Sequence, residues 1–365
     1  MTQLENPDYN SRLRSFIPDF YWFRHFHGKN SASFFVEGSM IARSETAFRN
    51  LAANINNEEA SCHFIEVDDY TNDKFWFLPV ACRRGVRLEV KADVARDSIN
   101  FVRLGTSARD VALIAPFGHG GDFICIGDTN SLGGAPPTDA IERVSGKGAT
   151  SFSYFNNGTT DYYRFKNLSA QYGMNIENKN VRILDWGCGC GRLTRHLLSL
   201  PSGARRVTGI DIDQVNIAWN QQHLSDSQFL TVDLMPPTPF PDDSFDLVIA
   251  NSVLSHLKLD VAKAWIAEIR RLLAPGGLAL LSYHGEFSLA ATASKTPNFV
   301  ESVLETGFNS DLSAKELNEI LADPGYYRQT FMSDIFANKL FSESFDLLDQ
   351  VKGVVSRFQN LAVCR

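Results

Sequence analysis

The chain has 365 residues, 44% of them hydrophobic and 21% charged, ordinary values for a globular protein and a length that suggests more than one domain. Its formal net charge is -7 and its basic residues form no dense run, Arg83-Arg84 and Arg205-Arg206 being only pairs, so no basic stripe marks a nucleic-acid partner. No apolar stretch approaches the ~20 residues of a membrane helix, MTQLENPDYN lacks the basic start and apolar core of a leader, and six cysteines (Cys62, Cys82, Cys125, Cys188, Cys190, Cys364) are too sparse for a disulfide scaffold; a cytoplasmic protein without membrane or nucleic-acid partner is expected.

The chain opens on an aromatic cluster, FIPDFYWFRHFHG, with Phe16, Phe20, Tyr21, Trp22, Phe23 and Phe26 close together. Between residues 33 and 128 short β-branched or aromatic runs follow one another: SFFVEG, CHFIEV, KFWFLPVA, VRLEVKA, INFVRLG, VALIAPFG and FICIGD. In VRLEV the apolar Val86, Leu88 and Val90 alternate with Arg87 and Glu89, the period of a half-buried strand. One helix is predicted over Ser44–Ala53, with Ser44 as N-cap. Ser131–Thr150, rich in Gly, Pro, Ser and Thr, reads as a linker. Residues 1–150 are therefore expected to form a separate β-rich domain with its linker, and residues 151–365 a second domain.

After residue 180 the pattern changes. VRILDW, VTGIDI, FLTVDL, FDLVIAN and LALLSYH are strand-like, and RLTRHLLSL, QVNIAWNQQHL and VAKAWIAEIRRLL between them have helical spacing. Pro275-Gly276-Gly277 stops the last of these helices. A helix near Ser333–Leu340 and the strands FDLLDQV and NLAVCR complete the chain. The fold class is α/β, a doubly wound sheet covered by helices on both faces. Residues 286–332 are too long for an ordinary connection and are expected to form an inserted cap.

Such sheets bind ligands at the carboxyl ends of their strands. Strand one ends in Asp185-Trp186-Gly187-Cys188-Gly189-Cys190-Gly191. Alternating glycines permit sharp turns and close approach of a ligand, and the helix that follows offers N–H groups to an anion. Asp211, at the end of strand two and roughly 20 residues past the loop, is placed to accept both hydroxyls of a ribose. Ile212 follows it. Strand three ends at Asp233-Leu234 and strand four at Asn251-Ser252. A dinucleotide fingerprint would need glycine at 192 or 194, where Arg192 and Thr194 stand, and no Gly-Lys-Ser/Thr of a phosphate loop follows. The loop suits a nucleoside without phosphates.

DWGCGCGR, GIDID, TVDL, PFPDDSFDLVIANSVLSHL and LAPGGLALLS occur in this order and spacing. The segment resembles the class I S-adenosylmethionine (SAM)-dependent methyltransferases over roughly residues 150–285. More loosely, it resembles bacterial enzymes that methylate glycans or secondary metabolites. The resemblance implies a Rossmann-like methyltransferase sheet with SAM as cofactor. It implies that the glycine loop, with Asp185, Gly187, Cys188, Gly189 and Gly191, holds the methionine part, that Asp211 binds the ribose and that Asp233 binds the adenine; Ile212 and Leu234 are expected in the same cofactor site, and Asn251 and Ser252 face the ligand from the opposite side. Cys188 and Cys190 lack a second pair at zinc spacing and are read as loop thiols, so no metal is expected. His256 and His284, after strands four and five, are the candidate bases for a hydroxyl acceptor. The expected acceptor is a small molecule or glycan hydroxyl. An amine acceptor is one alternative. A non-catalytic SAM-binding or partner-binding protein is another. Asn251-Ser252-Val253-Leu254 departs from the Asn/Asp-Pro-Pro-aromatic motif with which nucleic-acid amino methyltransferases grip an amine.

Overall fold

The computed structural model describes residues 7–29, 33–49, 51–55, 58–91, 99–105, 121–125, 134–224, 228–293, 297–313, 323, 325–355 and 358–365. The chain divides into two units, residues 1–128 with 286–301, and residues 129–285 with 302–365.

In the first unit the helix α1 (Pro7–Ser15) leads into β1 (Phe20–Lys29), β2 (Ser33–Ala42), β3 (Ala52–Ile55), β4 (Glu58–Glu59), β5 (Ser61–Ile65), β6 (Arg83–Lys91), β7 (Ile99–Gly105) and β8 (Gly121–Cys125). These pair into the sheets β1-β2-β6-β5 and β4-β3-β7-β8. Val86, Leu88 and Val90 of β6 point into a core with Val36, Met40, Ile55, Val102 and Leu104. Arg87, on the other face, pairs with Glu37 at 3.1 Å. The helix expected at Ser44–Ala53 is a 3-10 turn, Glu45–Phe48, capped by Ser44. Ala53 and Ile55 alternate into the core and make the rest of that segment strand β3.

KFWFLPVA forms no strand. Asp68 caps the short helix α2 (Asp69–Lys74) by accepting from the Thr71 N–H at 2.8 Å, Phe75 and Phe77 turn into the core, and Pro79 has no N–H for a ladder. VALIAPFG lies outside the described residues, as do the last three residues of FICIGD.

The second unit begins with two helices, α3 (Thr138–Ser145) and α4 (Ser151–Gln171). The first lies within the stretch read as a linker. Thr150 and Ser153 cap the second by exchanging side-chain and backbone hydrogen bonds. The sheet follows: β9 (Ile183–Trp186), α5 (Thr194–Leu198), α6 (Gly203–Arg206), β10 (Val207–Asp211), α7 (Gln214–His223), β11 (Gln228–Thr231), β12 (Phe245–Ala250), α8 (Leu259–Leu272) and β13 (Leu273–Tyr283).

The segment expected as a cap contains α9 (Glu286–Thr292), α10 (Pro297–Thr306) and an antiparallel pair, β14 (Phe308–Ser313) and β15 (Arg328–Met332). It divides between the units. Phe287 of α9 is fully buried in the first unit against Tyr21 and Phe75, at ring distances of 4.9 and 6.4 Å. The hairpin belongs to the second unit. The Met332 N–H donates to the His284 carbonyl at 3.0 Å, which sets β15 against the end of β13.

The chain closes with α11 (Asp334–Ser342), β16 (Leu347–Val355) and β17 (Gln359–Cys364). The strand order is β11-β10-β9-β12-β13-β17-β16, with β17 antiparallel to both neighbours. This doubly wound order puts the ends of β9, β10, β12 and β13 along one edge of the sheet. Trp265 of α8 stacks on Trp186 at 5.2 Å in the core beneath that edge. Truncating so large a buried side chain costs about 3–5 kcal/mol. Among the described residues no helix is long and apolar enough to cross a membrane, and no His/Cys/Asp/Glu group is arranged to hold a metal.

Candidate active site

The loop after β9 turns through three glycines with left-handed backbone, Gly187 (φ 74°), Gly189 (φ 52°) and Gly191 (φ 78°). The N–H groups of Gly187 and Cys188 donate to the Ile210 carbonyl at 2.8 and 3.0 Å, tying the loop to the end of β10. The Gly189 N–H donates to Asp211 Oδ2 at 2.8 Å, and the Asp213 N–H to Oδ1 at 2.8 Å. A side chain on these glycines would meet protein. A Cβ on Gly187 would stand 2.3 Å from Val253 Cγ2, one on Gly189 2.6 Å from Val144 Cγ1, and one on Gly191 2.4 Å from Leu224 Cδ1. The glycines thus serve both the turns and the close packing of neighbouring side chains on the loop.

Helix α3 rests on this loop. Arg143 reaches Asp213 Oδ2 at 3.1 Å and Asn216 Oδ1 at 3.3 Å, and Cys190 Sγ donates to the Ala140 carbonyl at 3.6 Å. From α4, the buried Tyr154 hydroxyl donates to the Cys190 carbonyl at 2.7 Å. Burial pushes the Cys190 thiol up to about 11 and raises the Cys188 thiol well above its ordinary value, so both are protonated packing groups near neutral pH.

Two carboxyls flank the loop. Asp185 is buried and accepts from Thr194 Oγ1 at 2.6 Å. Burial pushes it up to about 7, and it ties β9 to the start of α5. Asp211 keeps some exposure, but the surrounding protein raises its carboxyl to about 6. Two of its roughly four lone-pair positions are taken by the backbone N–H groups, which leaves capacity for a vicinal diol. Ile212 packs against the core.

Asp233 is exposed just past β11. The Leu234 carbonyl beside it accepts from Trp265 Nε1 at 3.0 Å and from the Tyr326 hydroxyl at 2.7 Å, which pins this part of the edge. Beyond β12, Asn251 Nδ2 donates to Asp161 Oδ2 at 2.9 Å. Asp161, buried on α4, also pairs with Arg192 at 3.5 Å and Arg164 at 3.8 Å. Ser252 is left-handed (φ 66°), and its N–H donates to Ser282 Oγ at 2.7 Å.

The two histidines stand together at the ends of β12 and β13, their rings 6.2 Å apart. Both hang on β15. His256 Nδ1 is 2.8 Å from the Arg328 carbonyl and His284 Nδ1 is 3.2 Å from the Thr330 carbonyl. Alternate residues of an extended strand repeat one orientation, so these carbonyls face the same way. A carbonyl only accepts, so each ring donates through Nδ1–H. A neutral ring then carries its basic lone pair on Nε2. His256 is partly exposed and stacks on Tyr327 at 4.1 Å. His284 is buried, stacks on Phe331 at 4.6 Å, and has its Nε2 3.3 Å from Gln359 Nε2.

The structure brings Asp185, the glycine loop, Asp211, Asn251, Ser252, His256 and His284 to one edge of the sheet. Asp161, Ser282 and Gln359 join them from positions that sequence reasoning did not single out. The only signal for Gln359 is a polar pair, Gln359-Asn360, opening an apolar strand.

Residues 183–277 match the model of a family described as "Methyltransferase domain". The chain is 30% identical over 119 residues to a tRNA N(3)-cytidine methyltransferase of Gallus gallus, covering 30% of this chain and 32% of that one. It is 38% identical over 104 residues to a trans-aconitate 2-methyltransferase of Delftia acidovorans (26% and 35% covered). It is also 38% identical over 100 residues to a ribosomal protein L11 methyltransferase of Burkholderia mallei (27% and 31% covered). The chain spans about a third of the length of these curated relatives. Among solved structures it is similar to a magnesium protoporphyrin IX methyltransferase from Synechocystis with bound S-adenosylhomocysteine (SAH), at 18% identity and a TM-score of 0.38, covering 62% of this chain and 92% of that one.

Proposed function

We propose that this chain, whose residues 183–277 match a methyltransferase-domain family, is a class I SAM-dependent enzyme that moves a methyl group from SAM to a hydroxyl of a small molecule or sugar. The observation that carries the cofactor reading is the loop itself: three left-handed glycines closed by the Asp211 carboxylate, with acceptor capacity remaining on that carboxylate. In this reading Gly187–Gly191 cradle the methionine part, Asp211 and Ile212 hold the ribose, Asp233 and Leu234 border the adenine, and Asn251 and Ser252 face the sulfur. When bound, SAM supplies a sulfonium methyl group, a strong donor to an aligned nucleophile.

The chain's own contribution is orientation and proton removal. Holding the reactants in line accounts for a large share of such a barrier. His256 Nε2 would accept the proton of the acceptor hydroxyl, while bound SAM would supply the methyl group and be left as SAH. The Arg328 carbonyl keeps that ring in the Nδ1–H form that can do so. His284 is not the base, because its Nε2 is engaged by Gln359. The β14–β15 hairpin, with Tyr327 against His256, caps the acceptor side. The thiols of Cys62, Cys82, Cys188, Cys190 and Cys364, none in a disulfide, suit a reducing cytoplasm.

A second reading, a nitrogen acceptor at this edge, is favoured by the relative named for tRNA N(3)-cytidine, and a macromolecular acceptor by that named for a ribosomal protein. One experiment separates the two. The protein is incubated with methyl-labelled SAM and, in parallel, hydroxylated small molecules, sugars, amines, tRNA and ribosomal protein. Label in the hydroxyl or sugar fractions is expected. Label confined to amines, tRNA or protein selects the second reading, and SAM bound without any transfer makes the chain a non-catalytic binder.

A further inference from the structure

Gln359 is 1% exposed and sits at the start of β17, beyond the segment that matches the methyltransferase family. Its amide joins three elements at the acceptor side of the edge. Nε2 lies 2.8 Å from Ser252 Oγ and 3.3 Å from His284 Nε2, and Oε1 lies 2.9 Å from Ser282 Oγ.

Donor and acceptor roles can be assigned around this network. The Ser252 N–H donates to Ser282 Oγ at 2.7 Å, so the Ser282 hydroxyl proton is available to Gln359 Oε1. The amide nitrogen then faces Ser252 Oγ and His284. An amide N–H₂ only donates, so His284 Nε2 must accept. Its Nδ1 meets the Thr330 carbonyl, which only accepts, so Nδ1 must carry a proton. The neutral Nδ1–H imidazole is the one state of His284 that satisfies both neighbours. An imidazolium would set N–H against N–H in a buried site, where an unmatched polar contact is costly.

We propose that Gln359 is a positioning residue for methyl transfer: it holds His284 as the neutral Nδ1–H imidazole and fixes Ser252 in its left-handed turn on the acceptor side of the cofactor. This rests on the methyltransferase reading given above. In this arrangement His284 is a rigid wall of the acceptor site rather than a proton carrier, and proton removal falls to His256 alone. Gln359 also couples β17 to the loop after β12, so the site is incomplete without β17.

The test uses full-length protein labelled with ¹⁵N-histidine. The His284 resonances are identified by their loss in His284→Gln, and both ring nitrogens are read by long-range ¹H–¹⁵N NMR at pH 7.5. The expected wild-type signature is protonated Nδ1 with unprotonated Nε2. In Gln359→Glu the new carboxylate accepts from Nε2, and the ring becomes doubly protonated at the same pH. In Gln359→Met the Thr330 carbonyl still holds the proton on Nδ1, and only the Nε2 resonance shifts as its amide partner is lost. SAH binding to wild-type protein is read in parallel by calorimetry. A wild-type ring protonated on Nε2, alone or on both nitrogens, overturns the proposal from one measurement on unmodified protein. So does a ring unchanged in a folded Gln359→Glu variant. Failure of wild-type protein to bind SAH would instead sink the methyltransferase reading and leave the tautomer result standing.

Discussion

Replacing Asp211 by alanine removes one carboxylate that serves two backbone N–H groups, at 2.8 Å each, and in the proposed complex two ribose hydroxyls. The backbone bonds are lost in free and bound protein alike, so they enter mainly through the order of the loop. The ribose bonds are lost only from the complex. Two hydrogen bonds to a charged acceptor are worth ~3–6 kcal/mol together before water replaces part of them. A net loss of about 3 kcal/mol, on the order of a hundredfold in affinity, is expected. Asp211→Asn sharpens the test. It keeps the size, but its NH₂ must face the Gly189 or Asp213 N–H, so SAH affinity should fall nearly as far. Burial raises the Asp211 carboxyl to about 6, and the diol prefers the ionised form. Wild-type affinity should therefore be nearly full above about pH 7, fall to about half near pH 6 and decline further below it. Calorimetry with SAH across pH, beside thermal melts that establish folding, reads all three effects. Two folded variants that bind within twofold of wild type would refute the assignment of the ribose to Asp211.

Three further outcomes follow from the geometry. Gly189→Ala places a Cβ 2.6 Å from Val144 Cγ1 in left-handed backbone, so it should lower Tm and SAH affinity; Val144→Ala should recover part of the Tm loss, and additive effects in that double-mutant cycle would contradict the contact. His256→Ala should slow transfer to a hydroxyl acceptor by roughly 10²–10⁴-fold while SAH affinity changes less than about twofold, whereas unchanged turnover would make the ring structural. Asp185, raised to about 7 by burial, binds a proton in the folded state that an unfolded carboxyl, near 3.9, does not. Its contribution to stability therefore falls as pH rises from about 4 to about 7. Asp185→Asn should gain Tm relative to wild type between pH 5 and pH 8 in ligand-free protein, and a pH-independent difference would contradict that burial effect.

The strands of the second unit were legible because each is a short apolar run followed by a residue that a binding edge needs. VRILDW, VTGIDI and FDLVIAN became β9, β10 and β12 nearly as read. The helix expected near Ser333–Leu340 is α11, and Ser333 caps it. Helices α3 and α4 were not legible. Helix α4 contains Gly158, Thr159 and Thr160, poor helix formers, and burial holds it: Gly158 lies so close to the Arg192 carbonyl that a Cβ would stand 2.5 Å away. Its cap uses Ser153 where the familiar signature has Glu or Gln. In the first unit, KFWFLPVA has the composition of a strand, but Asp68 and Pro79 bracket it with a helix cap and a break, and tertiary burial of Phe75 decides the rest.

The site was readable to the same degree. Residues placed by strand ends, such as Asp211 and the glycines, could be found by spacing. Asp161 and Gln359 act across 90 and 107 positions of sequence on Asn251 and Ser252, and no local pattern marks such contacts. The two histidines looked equivalent in sequence. They differ through β15 and β17, which leave the basic nitrogen of His284 tied to Gln359. The segment 286–332 was read as one cap because only its length was visible. Its first part buries Phe287 and Leu289 in the N-terminal unit, and its last part supplies the carbonyls that orient the histidines.

The most direct measurement is a crystal structure of the full chain with SAH. The ribose hydroxyls should lie within hydrogen-bond distance of Asp211, the adenine beside Asp233 and Leu234, and the sulfur should face Asn251–His256 with open space toward His256 Nε2. A structure with SAH bound elsewhere, or with its sulfur turned away from His256, would contradict the account.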